Sequence, residues 1–251
     1  MKAWRVALVI VLAMGAMALG SACGGGEEEG QAGPTPAATL ALADRAELEA
    51  LLKSMVLGSE DLPSGFTLQG EKFETNEEAA VDYPDGMEQG LADYARWGRL
   101  LGYQASYSTG VSLATLMTGG TIYIMVGTTL YEKPEGASEA MVESKDRLLD
   151  PEERAKLLEE FKKDNPDWKD PQLAPMSFVD VGDDTFAYQL TGTVGGGESG
   201  VEVTVVGQFV VVRRGRAIGT VAASAVQGPS SIQELEDMAR KLDQRMKEAL
   251  Q

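Results

Sequence analysis

The sequence contains no histidine and only one cysteine, Cys23. Without histidine the chain cannot form a Ser-His-Asp or Cys-His catalytic arrangement, nor a zinc or iron site with histidine ligands. Without a second cysteine it cannot form an internal disulfide, so its stability must come from a packed core. A general acid or base would have to be an aspartate, glutamate, lysine or tyrosine, with a strongly shifted pKa for work near neutral pH.

Positive charge is also scarce, because 22 lysines and arginines stand against 39 aspartates and glutamates, for a formal net charge of -17. Such an acidic surface repels phosphate backbones and anionic lipid headgroups. We therefore expect no nucleic-acid partner and no attachment of the folded body to a membrane by charge. The hydrophobic content of 43% is typical of a globular protein rather than a disordered one.

The N-terminus has the pattern of a targeting segment. Lys2 and Arg5 precede an apolar run from Val6 to Leu19, and small residues follow at 20–22. The run is shorter than the roughly 20 residues that a membrane-spanning helix needs. A basic start, a short apolar run and small residues at the cut are the features of a cleaved signal peptide, which we assign to residues 1–22.

Cys23 stands directly after this segment, and the whole pattern resembles the signal of a bacterial lipoprotein. The resemblance implies that Cys23 is lipidated through a diacylglyceryl thioether and that its amine can take a further acyl chain, such as palmitate. The chain would then be anchored in the lipid bilayer, on the extracytoplasmic side of the cell membrane. The alternative is ordinary cleavage after Ala22, which would leave Cys23 unmodified.

The rest of the chain divides into a tether and one body. Residues 23–43 comprise the lipidated cysteine and an acidic segment rich in Gly, Pro and Ala, which predicts a flexible tether. Residues 44–251 predict a single α+β extracytoplasmic domain, with an antiparallel sheet of about 5–7 strands packed by helices and a C-terminal helix on the sheet. The similar element order of residues 120–149 and 201–250 indicates a weak internal duplication.

Hydrophobic periodicity and capping residues predict the elements of this body. Asp44 is the expected N-cap of the first helix, Asp150 that of a middle helix and Ser231 that of the last one. Residues 76–90 and 164–175 are predicted to be mostly loop. The predicted strands cover 66–73, 101–108, 121–131, 185–194, 201–212 and 217–226, and further helices cover 87–97 and 137–149.

The order of these elements and the segment DLPSGF at 61–66 resemble small sensor-like and PsbP-like extracytoplasmic lipoproteins. The matching segment is too short to carry any functional residue over to this chain.

Two patterns in the body have a chemical interpretation and a plainer structural one. Gly195, Gly197 and Gly200 fit the dinucleotide motif G-x-G-x-x-G, but strand residues follow them, which favours a hairpin turn. The cluster Asp180, Asp183 and Asp184 could hold a calcium ion, or it could be a solvated turn between strands. The sequence shows no motif for any cofactor.

Two further groups of residues invite the same comparison. The basic cluster Arg213, Arg214 and Arg216 could bind a carboxylate or phosphate, or it could be an exposed hairpin tip. Five aromatic residues between 94 and 123 could line a pocket or simply belong to the core and sheet. They are Tyr94, Trp97, Tyr103, Tyr107 and Tyr123.

The sequence therefore favours a non-enzymatic lipoprotein that binds a small molecule or an envelope partner protein. An enclosed, partly apolar cavity between sheet and helices would indicate a ligand-binding protein, and a closed core with an exposed apolar patch would indicate a protein-interaction module. The alternative is an envelope hydrolase that works with two facing carboxylates, roughly 5–9 Å apart in a cleft.

Overall fold

The structure, a computed structural model, describes residues 42–81, 83–110, 113–195 and 202–251. The predicted signal peptide, Cys23 and nearly all of the predicted tether lie outside these residues. Within them the α+β class is confirmed, because one antiparallel sheet of seven strands carries helices on both faces. The C-terminal helix packs on this sheet, as the sequence predicts.

The sheet has the strand order β1-β2-β3-β7-β6-β5-β4, and every neighbouring pair is antiparallel. The N-terminal half of the body thus supplies one side of the sheet and the C-terminal half the other, with β3 and β7 joined at the centre. The strands are β1 Thr67–Glu74, β2 Arg99–Ser108, β3 Gly120–Tyr131, β4 Trp168–Met176, β5 Asp184–Gly195, β6 Glu202–Arg214 and β7 Ala217–Val226.

The helices are distributed between the two faces of the sheet. Helices α1 and α7 pack against each other and cover one face, whereas α3, α5 and α6 lie on the opposite face. The described helices are α1 Leu42–Met55, α2 Asn76–Ala80, α3 Met87–Trp97, α4 Leu113–Thr118, α5 Pro134–Leu149, α6 Pro151–Asp164 and α7 Ile232–Ala249, and a single 3₁₀ turn spans Ser59–Asp61.

The face under α1 and α7, which we call the sealed face, holds the main hydrophobic core. Leu52 and Met55 of α1 and Leu242 and Met246 of α7 have no exposed surface, and they pack on strand residues such as Ile124. This core joins α1, at the start of the described residues, to α7 at their end. We therefore expect residues 42–251 to fold on their own.

The opposite face is packed only toward its two ends. At one end the rings of Phe161 and Trp168 meet edge to face, with centroids 5.0 Å apart. At the other end α5 approaches α3 so closely that a Cβ on Gly136 would lie 1.8 Å from the carbonyl oxygen of Trp97. Residue 136 must therefore be a glycine. Between these two packed ends, the middle of this face of the sheet is uncovered.

Three predictions of secondary structure are wrong, either in the boundary of the element or in its type (helix, strand or loop). The predicted loop at 164–175 contains most of strand β4. This strand tolerates Pro171 and Pro175 because it is an edge strand, where prolines do not interrupt a ladder on both sides. The predicted loop at 76–90 contains α2, whose N-cap Thr75 exchanges hydrogen bonds with Glu78. Asp44 is not an N-cap, because α1 begins at Leu42, and Leu and Ala before it are good helix formers.

Other predictions at element ends are confirmed. Asp150 caps α6, since its carboxylate accepts hydrogen bonds from the backbone N–H groups of Glu152 and Glu153. Ser231 caps α7 through the N–H of Glu234. Gly195 ends β5 and pairs with Glu202 at the start of β6, so the glycine segment joins two strands. Gly197 and Gly200 lie outside the described residues.

Candidate functional site

A cleft lies between the uncovered middle of the sheet and helices α5 and α6. It consists of two adjoining chambers with volumes of about 690 Å³ and about 470 Å³. We call them the apolar chamber and the polar chamber. The residues that border both chambers are Tyr83, Pro84, Ser144, Leu148, Leu157 and Tyr188.

The floor of the cleft follows from the alternation of side chains along the strands. Gln104 of β2, Gly127 of β3 and Thr220 of β7 stand side by side in register and project toward the same face. A Cβ on Gly127 would meet only the backbone of β2, at 3.2 Å from the oxygen of Tyr103. Small side chains in this row therefore leave a depression in the sheet surface.

The apolar chamber is walled by hydrophobic side chains. Tyr188 and Phe209 lie on its floor with their rings stacked in parallel, 4.7 Å between centroids. Charged groups of α6 stand at its rim and are exposed to water, namely Glu160, Lys163 and Asp164. The other apolar lining residues are Met125, Leu148, Leu157, Leu158, Phe161, Leu173 and Leu190.

The polar chamber contains charged groups that are already paired with each other. The buried Arg99 guanidinium contacts Glu74 at 3.1 Å and donates to the side-chain oxygen of Asn76 at 2.8 Å. Arg147 contacts Glu143 at 3.2 Å. The two arginines and two glutamates that line this chamber thus balance in charge.

A hydrogen-bond network anchored on Asp93 holds the wall between the chambers. The Tyr83 hydroxyl donates to Asp93 at 2.6 Å, and Arg147 donates to the same hydroxyl at 3.2 Å. Burial alone would raise the pKa of Asp93, but hydrogen bonds from Tyr83 and Gln89, with Arg96 and Arg147 nearby, outweigh it and lower the pKa. Burial and the bond to Asp93 raise the pKa of Tyr83, so its proton stays on the hydroxyl.

Several neutral polar groups of the cleft have no hydrogen-bond partner among the described residues. Burial raises the pKa of the Tyr188 hydroxyl to about 12, and this hydroxyl has no hydrogen-bond partner among the described residues. The indole N–H of Trp97, which is 6% exposed and borders the polar chamber, is also without a partner. Further groups of this kind are the side chains of Gln104, Thr129, Tyr131, Ser144 and Thr220.

The predicted aspartate and arginine clusters contact each other. The Asp183 carboxylate accepts from Arg214 at 2.7 Å and from the backbone N–H of Gly215 at 2.7 Å, and Arg213 is also nearby. Arg214 makes two further 2.7 Å hydrogen bonds to Asp243. These contacts pin α7 to the hairpin between β6 and β7.

The other members of the two clusters do not take part in these contacts. Asp184 faces Lys145 at 3.8 Å, and Arg216 approaches the carbonyl of Tyr131 at 3.5 Å. In the part of the chain that the structure describes, no group of three or more acidic or cysteine side chains is arranged to hold a metal ion. Asp180, Asp183 and Asp184 therefore do not converge as a calcium-binding set.

The five clustered aromatic residues separate between the two faces of the sheet. Only Tyr94 and Trp97 border the cleft. Tyr103 and Tyr107 belong to the sealed face, and Tyr123 packs near Phe161. Sequence reasoning missed Tyr83, Gln104, Thr129 and Tyr188, and only the strand alternation of Gln104, Thr129 and Tyr188 could have indicated that they share a face.

The carboxylates around the polar chamber are already paired with arginines. Glu74, Glu143, Asp85 and Asp93 each contact an arginine within 3.2 Å. Of these four carboxylates, Glu74 and Glu143 line the polar chamber itself.

Comparisons with known proteins assign no family to this chain. No protein-family model matches it, and no curated protein matches it. The extracellular domain of PknH from Mycobacterium tuberculosis has a TM-score of 0.44 and 11% identity, over 79% of this chain and 96% of that one. LpqN, involved in cell envelope biogenesis of Mycobacterium tuberculosis, has a TM-score of 0.24 and 14% identity, over 73% of this chain and 78% of its own. Neither similarity transfers a function.

None of the described helices is long and apolar enough to cross a membrane.

Proposed function

We propose that this chain is a non-enzymatic, extracytoplasmic lipoprotein, anchored through acylated Cys23, whose cleft binds an amphipathic small molecule. The observation that carries the proposal is the pair of adjoining chambers on the uncovered face of the sheet, one apolar and one polar. Ligand sites in proteins are typically concave and mostly apolar, with a few polar groups that fix orientation, and their volumes run from about 300 to 1,000 Å³.

The same features favour a small ligand over a partner protein. A docking surface for a protein should present a contiguous exposed apolar patch. The large apolar side chains that are exposed are not confined to one element, because Leu68 lies on β1, Met117 on α4 and Ile232 on α7. The apolar chamber is instead concave and lies between helices and sheet.

Blocking the cleft tests the binding function. Ser144 lies on α5 and borders both chambers, so Ser144→Trp should place an indole ring in the space between them. Val142 on the same helix is 49% exposed, does not line the cleft, and provides the matched control Val142→Trp. The probe is the uncharged dye N-phenylnaphthylamine, titrated by fluorescence into residues 42–251.

We expect Ser144→Trp to weaken binding of the dye by at least about tenfold, or about 1.4 kcal/mol, and Val142→Trp to leave it unchanged. Circular dichroism of both variants verifies that each is folded. Equal binding by the wild type and Ser144→Trp would show that the dye does not occupy the cleft. No binding by the wild type would contradict the proposal directly.

The anchor is tested separately on the full chain. The intact mass of the protein from bacterial membranes should begin at Cys23 and include the added acyl chains. Cys23→Ala should move the protein from the membrane fraction to the soluble fraction, since two acyl chains give stable anchoring. A free thiol at Cys23, or membrane retention of the alanine variant, would contradict lipid anchoring.

A further inference from the structure

We propose that the cleft selects an amphiphile whose polar end is uncharged and carries hydroxyl or amide groups. This inference rests on the proposed binding function and adds the chemical class of the ligand. The basis is a comparison of the polar groups of the cleft that are already paired with those that have no partner among the described residues.

No charged group of the polar chamber is free to pair with a charged ligand. Arg99 is held by Glu74 and by Asn76, and it is 7% exposed. Arg147 is held by Glu143 and by Asp85, at 3.2 Å and 3.0 Å. An anionic headgroup would have to displace one of these carboxylates, and a cationic headgroup would have to displace one of these arginines.

Either displacement is unfavourable, because it leaves a charge without its partner in a partly buried site. Removing one partner of a buried ion pair is strongly destabilising, since the other charge stays desolvated. A charged headgroup would also lose its own hydration on entering the cleft. An uncharged headgroup meets neither penalty.

The groups that remain without partners are all neutral donors or acceptors. Gln104 and Thr129 on the floor of the polar chamber and Ser144 on α5 have none among the described residues, and neither has the Tyr188 hydroxyl. Hydroxyl and amide groups of a ligand can both donate and accept, as these side chains require. The Tyr188 ring lies between the two chambers, so it can contact the apolar part while its hydroxyl binds the polar part.

The apolar part of the ligand would occupy the neighbouring chamber. Its walls are aliphatic, thioether and aromatic side chains, including Met125, Leu158 and Phe209. The volume of about 690 Å³ suits an alkyl chain or a fused-ring hydrocarbon of moderate size. The charged residues of this chamber stand at its exposed rim, where they stay hydrated.

Three probes with the same alkyl chain and different headgroups test the selection. Glycerol monolaurate is neutral, laurate is anionic and dodecylammonium is cationic. Each is titrated into residues 42–251 by calorimetry at neutral pH, below the concentration at which it forms micelles. We expect the glycerol ester to bind at least about tenfold more tightly than either charged probe. Equal or tighter binding of laurate or dodecylammonium would overturn the inference.

A substitution that unbalances the chamber should change this preference. Glu143→Gln removes the carboxylate that contacts Arg96 and Arg147, so it should raise the affinity for laurate by at least about tenfold. Glu135→Gln on the exposed start of the same helix makes the same change in net charge and should not. An equal effect of both variants would show that net charge alone controls laurate binding, and no effect of Glu143→Gln would contradict the role of the paired charges.

The outcomes separate this inference from the binding function on which it rests. Should none of the three probes bind, or should Ser144→Trp bind them as well as the wild type does, the cleft is not a ligand site and both proposals fail. Should Ser144→Trp abolish binding while laurate is the preferred probe, the binding function stands and only the charge selection is wrong.

Discussion

Removal of the Asp93 carboxylate should destabilise the fold and loosen the wall between the two chambers. Asp93 is 5% exposed and accepts hydrogen bonds from Tyr83 at 2.6 Å, Gln89 at 3.1 Å and Arg96 at 3.0 Å. A hydrogen bond to a charged group contributes about 1.5–3 kcal/mol, and removal of one partner from a buried network can cost about 3–5 kcal/mol. Because Arg96 is half exposed, its contact adds little.

We therefore expect Asp93→Ala to lower the free energy of unfolding by about 3 kcal/mol, which corresponds to a melting temperature about 6–12 °C lower for a chain of this size. Urea unfolding and thermal circular dichroism on residues 42–251 measure both. Asp146→Ala is the control, because Asp146 is exposed on α5 and its side chain forms no hydrogen bond or ion pair with another described residue. Its effect should stay within about 0.5 kcal/mol.

The pH dependence of this loss has a definite sign. The pKa of Asp93 in the folded protein lies below its ordinary value of 3.8, so its contribution to stability is complete above that value and disappears as the pH falls through the lower, folded pKa. The stability difference between the wild type and Asp93→Ala should therefore be constant from neutral pH to about pH 5 and shrink in stronger acid. A loss below about 1 kcal/mol, or a difference that grows toward acid, would refute the reasoning.

Two further predictions concern stability. Gly136→Ala should destabilise the protein by at least about 1–3 kcal/mol and alter tryptophan fluorescence, since its Cβ would press α5 away from the carbonyl of Trp97. The control Ser138→Ala, two residues along the same helix, should do neither. An unchanged melting curve for Gly136→Ala would disprove the close approach. Burial raises the pKa of Tyr188 to about 12 in the folded protein, so between about pH 10 and pH 12 only the unfolded chain loses this proton and stability should fall as the pH rises. Urea unfolding should show a smaller alkaline loss for Tyr188→Phe than for the wild type, and identical losses would exclude Tyr188 as a contributor.

The sequence predicts those elements whose signals are local. Residues 87–97 form the expected helix, and the β-branched residues around the turn at Gly215 form the expected long hairpin. Strand β4 is not predictable in this way, because Pro171 and Pro175 are tolerated only where the strand happens to be an edge. The capping box of Thr75 and Glu78 is a local signal that sequence reasoning overlooked.

The cleft could not be predicted, because it depends on how far α5 and α6 stand from the sheet. Tyr83, Ser144 and Tyr188 meet there although they are distant in the sequence and share no motif. The charge balance of the polar chamber likewise arises from pairs such as Arg99 with Glu74, which only the antiparallel pairing of β1 and β2 brings together.

On the central strands, the residues that line the cleft are separate from the residues that hold the core together, so each set can be mutated independently. On β3, Thr128 is 3% exposed and its hydroxyl donates to the carbonyl of Leu52, whereas Thr129, one step along, faces the cleft. A combinatorial library confined to Gln104, Thr129 and Thr220 would therefore diversify the recognition surface while the packing under α1 and α7 remained as it is. The same diversity introduced at Thr128 or Val221 would yield mostly unfolded chains.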